Sequence, residues 1–334
     1  MKLIIQLPCL NEEEALPQAV RDLPKAIPGV DTIERLIIDD GSTDKTVEVA
    51  RRLGIEHVVK HTTNKGLAAA FQSGLNASLQ LGADIIVNTD ADNQYPGRFI
   101  PELVEPILAG QADMVIGDRQ VHHIGEFSFS KKLLQKMGSA VVRYVSGTDV
   151  PDAPSGFRAL SREAALRINV LSGYTYTLET IVQAGKNNLT IAHVPIETNP
   201  KVRDSRLVKG NLQYVLRSMT TILRLFVLYE PLRTFAYLGV PFLLFGAALW
   251  VRYLVFAAMG EAGEGAHLSS VVAGAVSILV ALLLVSLGLI GELLATNRRI
   301  IEQALYYTKR TALIDEKIER ESSATLKGNL KGRA

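Results

Sequence analysis

Two stretches of this chain contain no charged residue: Thr234 to Val251 and Leu268 to Gly291. Nothing else in the sequence restricts its folding so strongly. At 1.5 Å rise per residue, about 18 and 24 helical residues reach roughly 27 and 36 Å, close to a hydrocarbon layer of ~30 Å. Buried helices of a soluble core rarely stay uncharged over such lengths. Two membrane-spanning helices are therefore expected, over 233–258 and 267–295. The connection between them, Met259 to His267, is rich in glycine and carries Glu261 and Glu264 but no Lys or Arg. The outer flanks are basic, with Arg217, Arg224 and Arg233 on one side and Arg298, Arg299, Lys309 and Arg310 on the other. The positive-inside rule places those flanks in the cytoplasm and the short connection outside. Met1-Lys2 leads directly into an apolar strand pattern and not into a cleavable leader. The expectation is a multi-pass plasma-membrane protein with its large N-terminal part and both termini cytoplasmic.

A second kind of segment precedes the first span. In the region 207–232, Leu212, Val215, Leu216, Met219, Ile222, Leu223 and Phe226 recur at helical spacing, while Arg217 and Arg224 fall on another face. A basic amphipathic helix next to a span belongs in the headgroup plane. The alternative is an ordinary helix packed on the globular part. After the second span, 296–334 reads as a cytoplasmic helix followed by a polar tail, expected to be disordered beyond about Ile318.

The first 206 residues have the pattern of a soluble α/β domain. Leu3 to Leu7, Leu36 to Ile38, His57 to His61, Ile85 to Val87 and Met114 to Ile116 read as short, nearly all-apolar strands. Helical segments separate them, among them Gly66 to Leu81. Such strands argue for a mostly parallel sheet covered on both faces. Asn11 reads as a helix N-cap, with Glu14 at the reciprocal position. The formal net charge is only +2 and the basic residues follow the membrane segments, so nucleic acid is not an expected partner. One cysteine, Cys9, excludes an internal disulfide and a multi-cysteine zinc site.

Chemistry-bearing residues collect at the predicted strand ends. Pro8-Cys9-Leu10-Asn11-Glu12, Asp39-Asp40-Gly41-Ser42-Thr43-Asp44 and Asp90-Ala91-Asp92-Asn93-Gln94 each follow an apolar run. Ligands of open α/β sheets bind at the carboxyl ends of the strands. Asp90 and Asp92, spaced i, i+2, offer hard oxygen ligands suited to Mg²⁺ or Mn²⁺ shared with a diphosphate. The bland reading of Asp-x-Asp is a turn, and that of Ser42 or Thr43 is a helix cap.

These three clusters, with Asn64-Lys65-Gly66 between them, resemble the nucleotide-sugar domain of family 2 glycosyltransferases of GT-A fold. Two later segments narrow the resemblance: Asp152-Ala153-Pro154-Ser155-Gly156-Phe157-Arg158 and Asn199-Pro200-Lys201-Val202-Arg203-Asp204-Ser205-Arg206-Leu207. With the amphipathic helix and two spans, the whole is similar to bacterial polyprenyl-phosphate glycosyltransferases, relatives of dolichol-phosphate mannose synthase. The resemblance implies a Rossmann-like GT-A domain over 1–206, a nucleotide diphosphate sugar as donor, with uridine favoured over guanosine, and polyprenyl phosphate as acceptor. It implies that Pro8, Asn11, Glu12 and Asp40 line the nucleoside pocket and that Lys65 belongs to the donor site. Asp90 and Asp92 would engage metal and diphosphate, with Gln94 a further ligand. Arg119 and Ser205 would face the acceptor phosphate, Arg203 and Arg206 would close over phosphates, and Asp152 would lie near the reacting sugar.

The chain departs from that pattern in the acceptor helix. An Arg-x-x-Ser element is replaced by Lys131-Lys132-Leu133-Leu134-Gln135-Lys136. Lys132 and Lys136 share a helical face and can supply charge, though not a planar fork; a solvated charge run is the other reading. The Gln-x-x-Arg-Trp element of processive synthases is absent, and the only tryptophan, Trp250, lies in a predicted span. One sugar per event is therefore expected, transferred with inversion by a lipid phosphate that needs charge neutralisation more than a base. Asp152 is read as holding a sugar hydroxyl or a basic neighbour. The competing readings are transfer to another lipid acceptor and a non-catalytic membrane scaffold. Assembly with further copies of the chain is left open.

Overall fold

A computed structural model of the chain describes all residues except 121–128, 171–175, 201–219, 221–222, 225, 261–267 and 332–334, and the side chains of 129–137, 316–317 and 319–331. Two units separate, residues 1–218 with 302–334, and residues 219–301.

The first unit is built on seven strands: β1 Lys2–Cys9, β2 Thr32–Asp39, β3 His57–Lys60, β4 Ile85–Asn88, β5 Met114–Asp118, β6 Arg158–Ser161 and β7 Ile191–Pro195. They lie in the order β3-β2-β1-β4-β6-β5-β7. Strands β1, β2, β3 and β4 pair in parallel, as do β5 and β7, whereas β6 is antiparallel to both β4 and β5. The sheet is thus mixed. The apolar runs Leu3–Ile5, Leu36–Ile38 and Ile85–Val87 of its parallel half are buried because helices cover both faces: α1 Leu16–Arg21, α2 Thr46–Arg52, α3 Leu67–Gln80 and α4 Ile100–Leu108 connect these strands. Leu3, Ile5, Leu7, Ile37, Val87 and Val115 from the strands meet Leu16, Ile100, Leu103 and Val104 from the helices in one buried cluster. Further on come α5 Phe129–Ser146, α6 Arg162–Arg167 and α7 Tyr176–Lys186.

Register fixes where the strands end together. Cys9 pairs with Asp39, and Gln6 with Asn88, so β1, β2 and β4 run out on the same edge of the sheet. The loops that follow them are the three polar clusters. The expected N-cap at Asn11 does not form. Helix α1 begins only at Leu16, after Ala15, and no side chain caps it. Asn11 instead takes a left-handed backbone (φ 55°), and its Oδ1 accepts from Thr43 N at 2.8 Å. The loop after β1 is held by the loop after β2 and not by a helix start. Nor do Ser42 or Thr43 cap α2; Asp44 Oδ1 accepts from Thr46 N at 3.0 Å.

The second unit contains α8 Pro231–Ala258 and the start of α9 Leu268–Lys331. Both helices are long and apolar enough to cross a membrane, and little of either apolar stretch is covered. They approach closely at small residues. A Cβ on Gly246 would lie 2.8 Å from Gly274 O, and one on Gly274 would lie 2.4 Å from Trp250 Cδ1. Trp250 Nε1 donates to Val271 O at 3.2 Å, which places the indole across the pair. Most of the expected amphipathic helix lies outside the described residues. Helix α9 runs on to Lys331, where a disordered tail was expected. Within the first unit, Tyr306 OH of this helix donates to Glu163 Oε2 at 3.2 Å, and Lys309 Nζ donates to Asn169 Oδ1 at 2.6 Å.

Candidate active site

The first two loops are laced together by hydrogen bonds. Asn11 N donates to Ser42 Oγ at 2.9 Å, Glu12 N to Thr46 Oγ1 at 2.9 Å and Lys45 N to Glu13 Oε2 at 2.9 Å. Asp40 is buried and uses both carboxylate oxygens on the protein. Oδ1 accepts from Lys65 N at 2.9 Å and faces His61 Nδ1 at 2.7 Å; Oδ2 accepts from Gly66 N at 2.8 Å. His61 Nε2 lies 3.0 Å from Ser73 Oγ, so the imidazole bridges Asp40 to α3. Asp40 therefore shapes the Asn64-Lys65-Gly66 turn, whose Gly66 has φ 91°. The Lys65 side chain is exposed. Asp39, named in its cluster but not assigned to the nucleoside pocket, differs from its neighbour. Its Oδ1 accepts from Ser42 N at 3.0 Å, while Oδ2 is buried with no hydrogen-bond partner among the described residues. An unpaired buried carboxylate oxygen at a strand end is a place for a ligand donor.

The third loop carries the acidic pair. Asp90 and Asp92 follow β4, and Asp92 Oδ1 accepts from Gln94 N at 3.0 Å. Desolvation first, and then the charge on Asp92, push the Asp90 carboxyl up to about 7; Arg119 and Arg158 pull it the other way. Among the described residues no group of three His, Cys, Asp or Glu side chains gathers to hold a metal. Two hard carboxylates with crowded negative charge fit Mg²⁺ or Mn²⁺ whose other ligands come from a diphosphate and water. The Gln94 carbonyl accepts from Asn199 N at 2.9 Å, and Asn199 Nδ2 donates to Asn93 O at 2.9 Å. The segment after β7 is thereby pinned to the acidic loop, directly before residues 201–206.

Arg119 and Asp152 form the fourth part. Arg119 Nε donates to Asp152 Oδ2 at 2.7 Å and Nη2 to Oδ1 at 2.9 Å, a planar fork, with Arg119 N adding a bond to Oδ2 at 3.2 Å. Asp152 is 3 % exposed. Arg119 is thus a basic neighbour of Asp152. Burial works to lower the Arg119 pKa, but Tyr95, Asp152 and Asp90 outweigh it and hold the group above its ordinary value. It stays charged beside the acidic pair.

The remaining expected residues divide into two groups. Pro8 is buried at the end of β1, and Glu12 is buried in the loop after it. Lys132 and Lys136 lie on α5, with side chains outside the described residues, as are Arg203, Ser205 and Arg206 altogether. The sequence reading also missed Asn88, Tyr95, Tyr176 and the role of Arg158. Asn88 had a signal: it is the one amide in an otherwise apolar strand.

Comparison with known proteins agrees with this geometry. Residues 4–168 match the profile described as "Glycosyl transferase family 2". The chain is 32% identical over 204 residues to an uncharacterised protein of Methanocaldococcus jannaschii, covering 59% of this chain and 81% of that one. It is 30% identical to the undecaprenyl-phosphate mannosyltransferase of Micrococcus luteus, over 59% of this chain and 83% of that one. Among solved structures it resembles glucosyl-3-phosphoglycerate synthase from Mycobacterium tuberculosis in complex with Mn²⁺, uridine diphosphate and phosphoglyceric acid. That match has a TM-score of 0.52 and 22% identity and covers 68% of this chain and 77% of the other. A mixed GT-A sheet, an acidic pair at the end of β4 and these likenesses lead to one statement: the chain belongs to glycosyl transferase family 2 and is a glycosyltransferase.

Proposed function

We propose that this enzyme moves one sugar from a nucleotide diphosphate sugar to a polyprenyl phosphate at the cytoplasmic leaflet, with inversion at the anomeric carbon. The observation that carries the proposal is a forked Arg119–Asp152 pair beside Asp90 and Asp92 in a chain that also has two helices long enough to span a bilayer. The names of relatives support the acceptor class. They include the undecaprenyl-phosphate mannosyltransferase above and a UDP-N-acetylglucosamine–dolichyl-phosphate N-acetylglucosaminyltransferase of Methanococcus voltae, 32% identical. Uridine diphosphate in the structural neighbour supports a uridine nucleotide as donor.

The donor's nucleoside would lie across the first two loops. Asp39 Oδ2 is available to accept a base or ribose donor; Pro8, Asn11 and Glu12 form the wall, and Asp40 holds the Lys65 turn against it. Asp90, Asp92 and Gln94 would face the diphosphate with a divalent metal, which when bound stabilises the leaving charge. A lipid phosphate is largely dianionic at neutral pH and needs little help from a base. What it needs is positive charge. Arg119 supplies that charge from a position Asp152 has already fixed, so little orientational freedom is lost at the moment of attack. Lys132, Lys136, Arg203, Ser205 and Arg206 are proposed to complete the phosphate contacts.

The test is direct. Membranes containing the enzyme are given radiolabelled nucleotide sugars one at a time, with polyprenyl phosphate. Label should move into the organic phase for one donor and should stop doing so with chelator or with Asp92→Asn. Transfer that survives both removes the metal from the proposal. Transfer to diacylglycerol in place of polyprenyl phosphate changes the acceptor.

A further inference from the structure

Behind the acidic pair lies a buried polar assembly that the roles above do not use. Arg158, at the start of β6, is fully buried, and among the described residues no carboxylate lies within ion-pair distance of it. Its guanidinium donates to the backbone oxygen of Ser155, to Thr180 Oγ1 and, at 3.1 Å, to Thr177 O. Among the described residues its Nε has no hydrogen-bond partner. The guanidinium also lies 5.5 Å from the centre of the Tyr176 ring, whose other neighbour is Phe71, stacked at 4.0 Å. Interior guanidinium groups without a counter-ion are costly, and an apolar side chain would pack a core more favourably. Local rules are broken in this way mostly where function requires it.

What the assembly holds is the pair of peptide units that meet at Gly156. Gly156 O accepts from Asn88 Nδ2 at 2.9 Å and from Tyr176 OH at 3.4 Å. Gly156 N donates to Tyr95 OH at 3.3 Å. Asn88 is itself fixed, since its Oδ1 accepts from Gln6 Nε2 at 2.9 Å and its Nδ2 also donates to Tyr176 OH at 3.0 Å. Tyr95 is held from behind by Phe157, stacked at 5.2 Å. Four side chains from β4, the acidic loop, β6 and α7 thus grip residues 155 and 156. This pair packs directly on the metal-ligand candidate: a Cβ on Gly156 would lie 3.4 and 3.5 Å from the Asp90 carboxylate oxygens.

We propose that Asn88, Tyr95, Tyr176 and Arg158 are positioning residues that hold the two peptide units flanking Gly156 as a fixed wall against Asp90, and so set where the donor diphosphate and its metal sit. The inference rests on the nucleotide-sugar reading of the site but not on which lipid accepts the sugar. A wall gripped at both its N–H and its C=O cannot tilt without breaking a buried hydrogen bond, so Asp90 keeps one orientation while ligands come and go.

The experiment uses the full-length enzyme in detergent and reads Mn²⁺ binding by electron paramagnetic resonance with UDP, and with GDP in parallel, beside kcat and donor KM. Tyr95→Phe combined with Tyr176→Phe removes only two hydroxyls and keeps both ring stacks, so the variant should fold. The three hydrogen bonds lost with these hydroxyls should weaken nucleotide-dependent Mn²⁺ binding about tenfold, or lower kcat by that factor at nearly constant donor KM. Arg158→Lys, which keeps the charge, should fall between wild type and Arg158→Met. A loss in binding or kcat per folded molecule supports the wall. Wild-type values of both in the double variant, or Arg158 variants whose only change is a lower melting temperature, overturn it. A wild-type enzyme that binds Mn²⁺ with nucleotide yet labels no polyprenyl phosphate would defeat the acceptor assignment alone. One that binds no Mn²⁺ with either nucleotide would defeat the wall as well.

Discussion

Asp90 is the residue at which fold and function pull hardest against each other. Its carboxyl, pushed up to about 7 by desolvation and by Asp92, sits well above the ordinary carboxylate value. A raised folded-state pKa means that the fold favours the protonated form. The associated stability is fully present at low pH and is lost as pH rises from the ordinary value through about 7. A shift of this size corresponds to about 4 kcal/mol at most, since Asp90 keeps some contact with solvent. Asp90→Asn should therefore raise the melting temperature of the metal-free enzyme at pH 8 while removing transfer, and less than half of that gain should remain at pH 5. Scanning calorimetry at the two pH values checks this; an equal gain at both would mean that desolvation is not what burdens the site. Arg119 makes the opposite kind of prediction. Its fork on Asp152 uses Nε and Nη2, and among the described residues Nη1 has no protein acceptor. Arg119→Lys keeps the charge but cannot fork and also reach a phosphate. Polyprenyl-phosphate KM should rise, or kcat fall, roughly ten- to a hundredfold, with donor KM little changed. Were only donor KM to move, Arg119 would belong to the donor side.

Secondary-structure elements show where the sequence was readable. The five apolar runs gave strands within two residues at most ends, with β2 starting earlier than expected at Thr32. Their signal is strongest in β1 and β4, which are buried on both faces and mostly apolar, whereas β3 is only partly buried. Strands β6 and β7 were missed for opposite reasons. Strand β6 is four residues long and opens on Arg158, a residue whose burial depends on acceptors supplied by α7 and the Ser155 turn. Strand β7 is an edge strand, only partly buried, and ends in Pro195; Pro and incomplete burial are both tolerated at an edge. The polar clusters were legible as clusters. Their internal division was not: adjacent Asp39 and Asp40 look alike in sequence, and only the distant His61 and Gly66 reveal which of them is occupied. In the second unit the deciding residues are glycines. Gly246→Val would drive side-chain atoms into Gly274 O, 2.8 Å from the nearest Cβ position, where backbone cannot yield. The helix pair should separate or shift, lowering thermal stability in detergent by several degrees. Val substituted at Gly260, where nothing lies within 4 Å of a Cβ, tests only the strain of φ 74° and should cost less. Equal losses would show that close approach at Gly246 is unimportant.

For the whole molecule, the question is which side of a bilayer each part faces. Nucleotide sugars are made in the cytoplasm, so the acidic site must face that side for the proposed reaction. Charge distribution predicts the same arrangement, because every Lys and Arg near the two spans except Arg252 lies on their outer flanks. A single-cysteine experiment can read it. Cys9 is buried, and burial pushes its thiol pKa well up, so it reacts slowly in the folded protein. Replacing it by serine removes the background entirely. The serine hydroxyl can donate to Leu7 O, to which Cys9 Sγ already donates at 3.4 Å, so Cys9→Ser should cost on the order of 1 kcal/mol or less. A cysteine placed at Gly263 in that background should react with a membrane-impermeant maleimide on intact cells. One placed at Lys209 should react only after the cells are opened. Transfer activity retained in both single-cysteine proteins ensures that the labelled molecules are the working enzyme. The reverse pattern would put Asp90 and Asp92 on the side without nucleotide sugars. The polyprenyl-phosphate reaction could not then proceed as proposed, however well the site residues fit it.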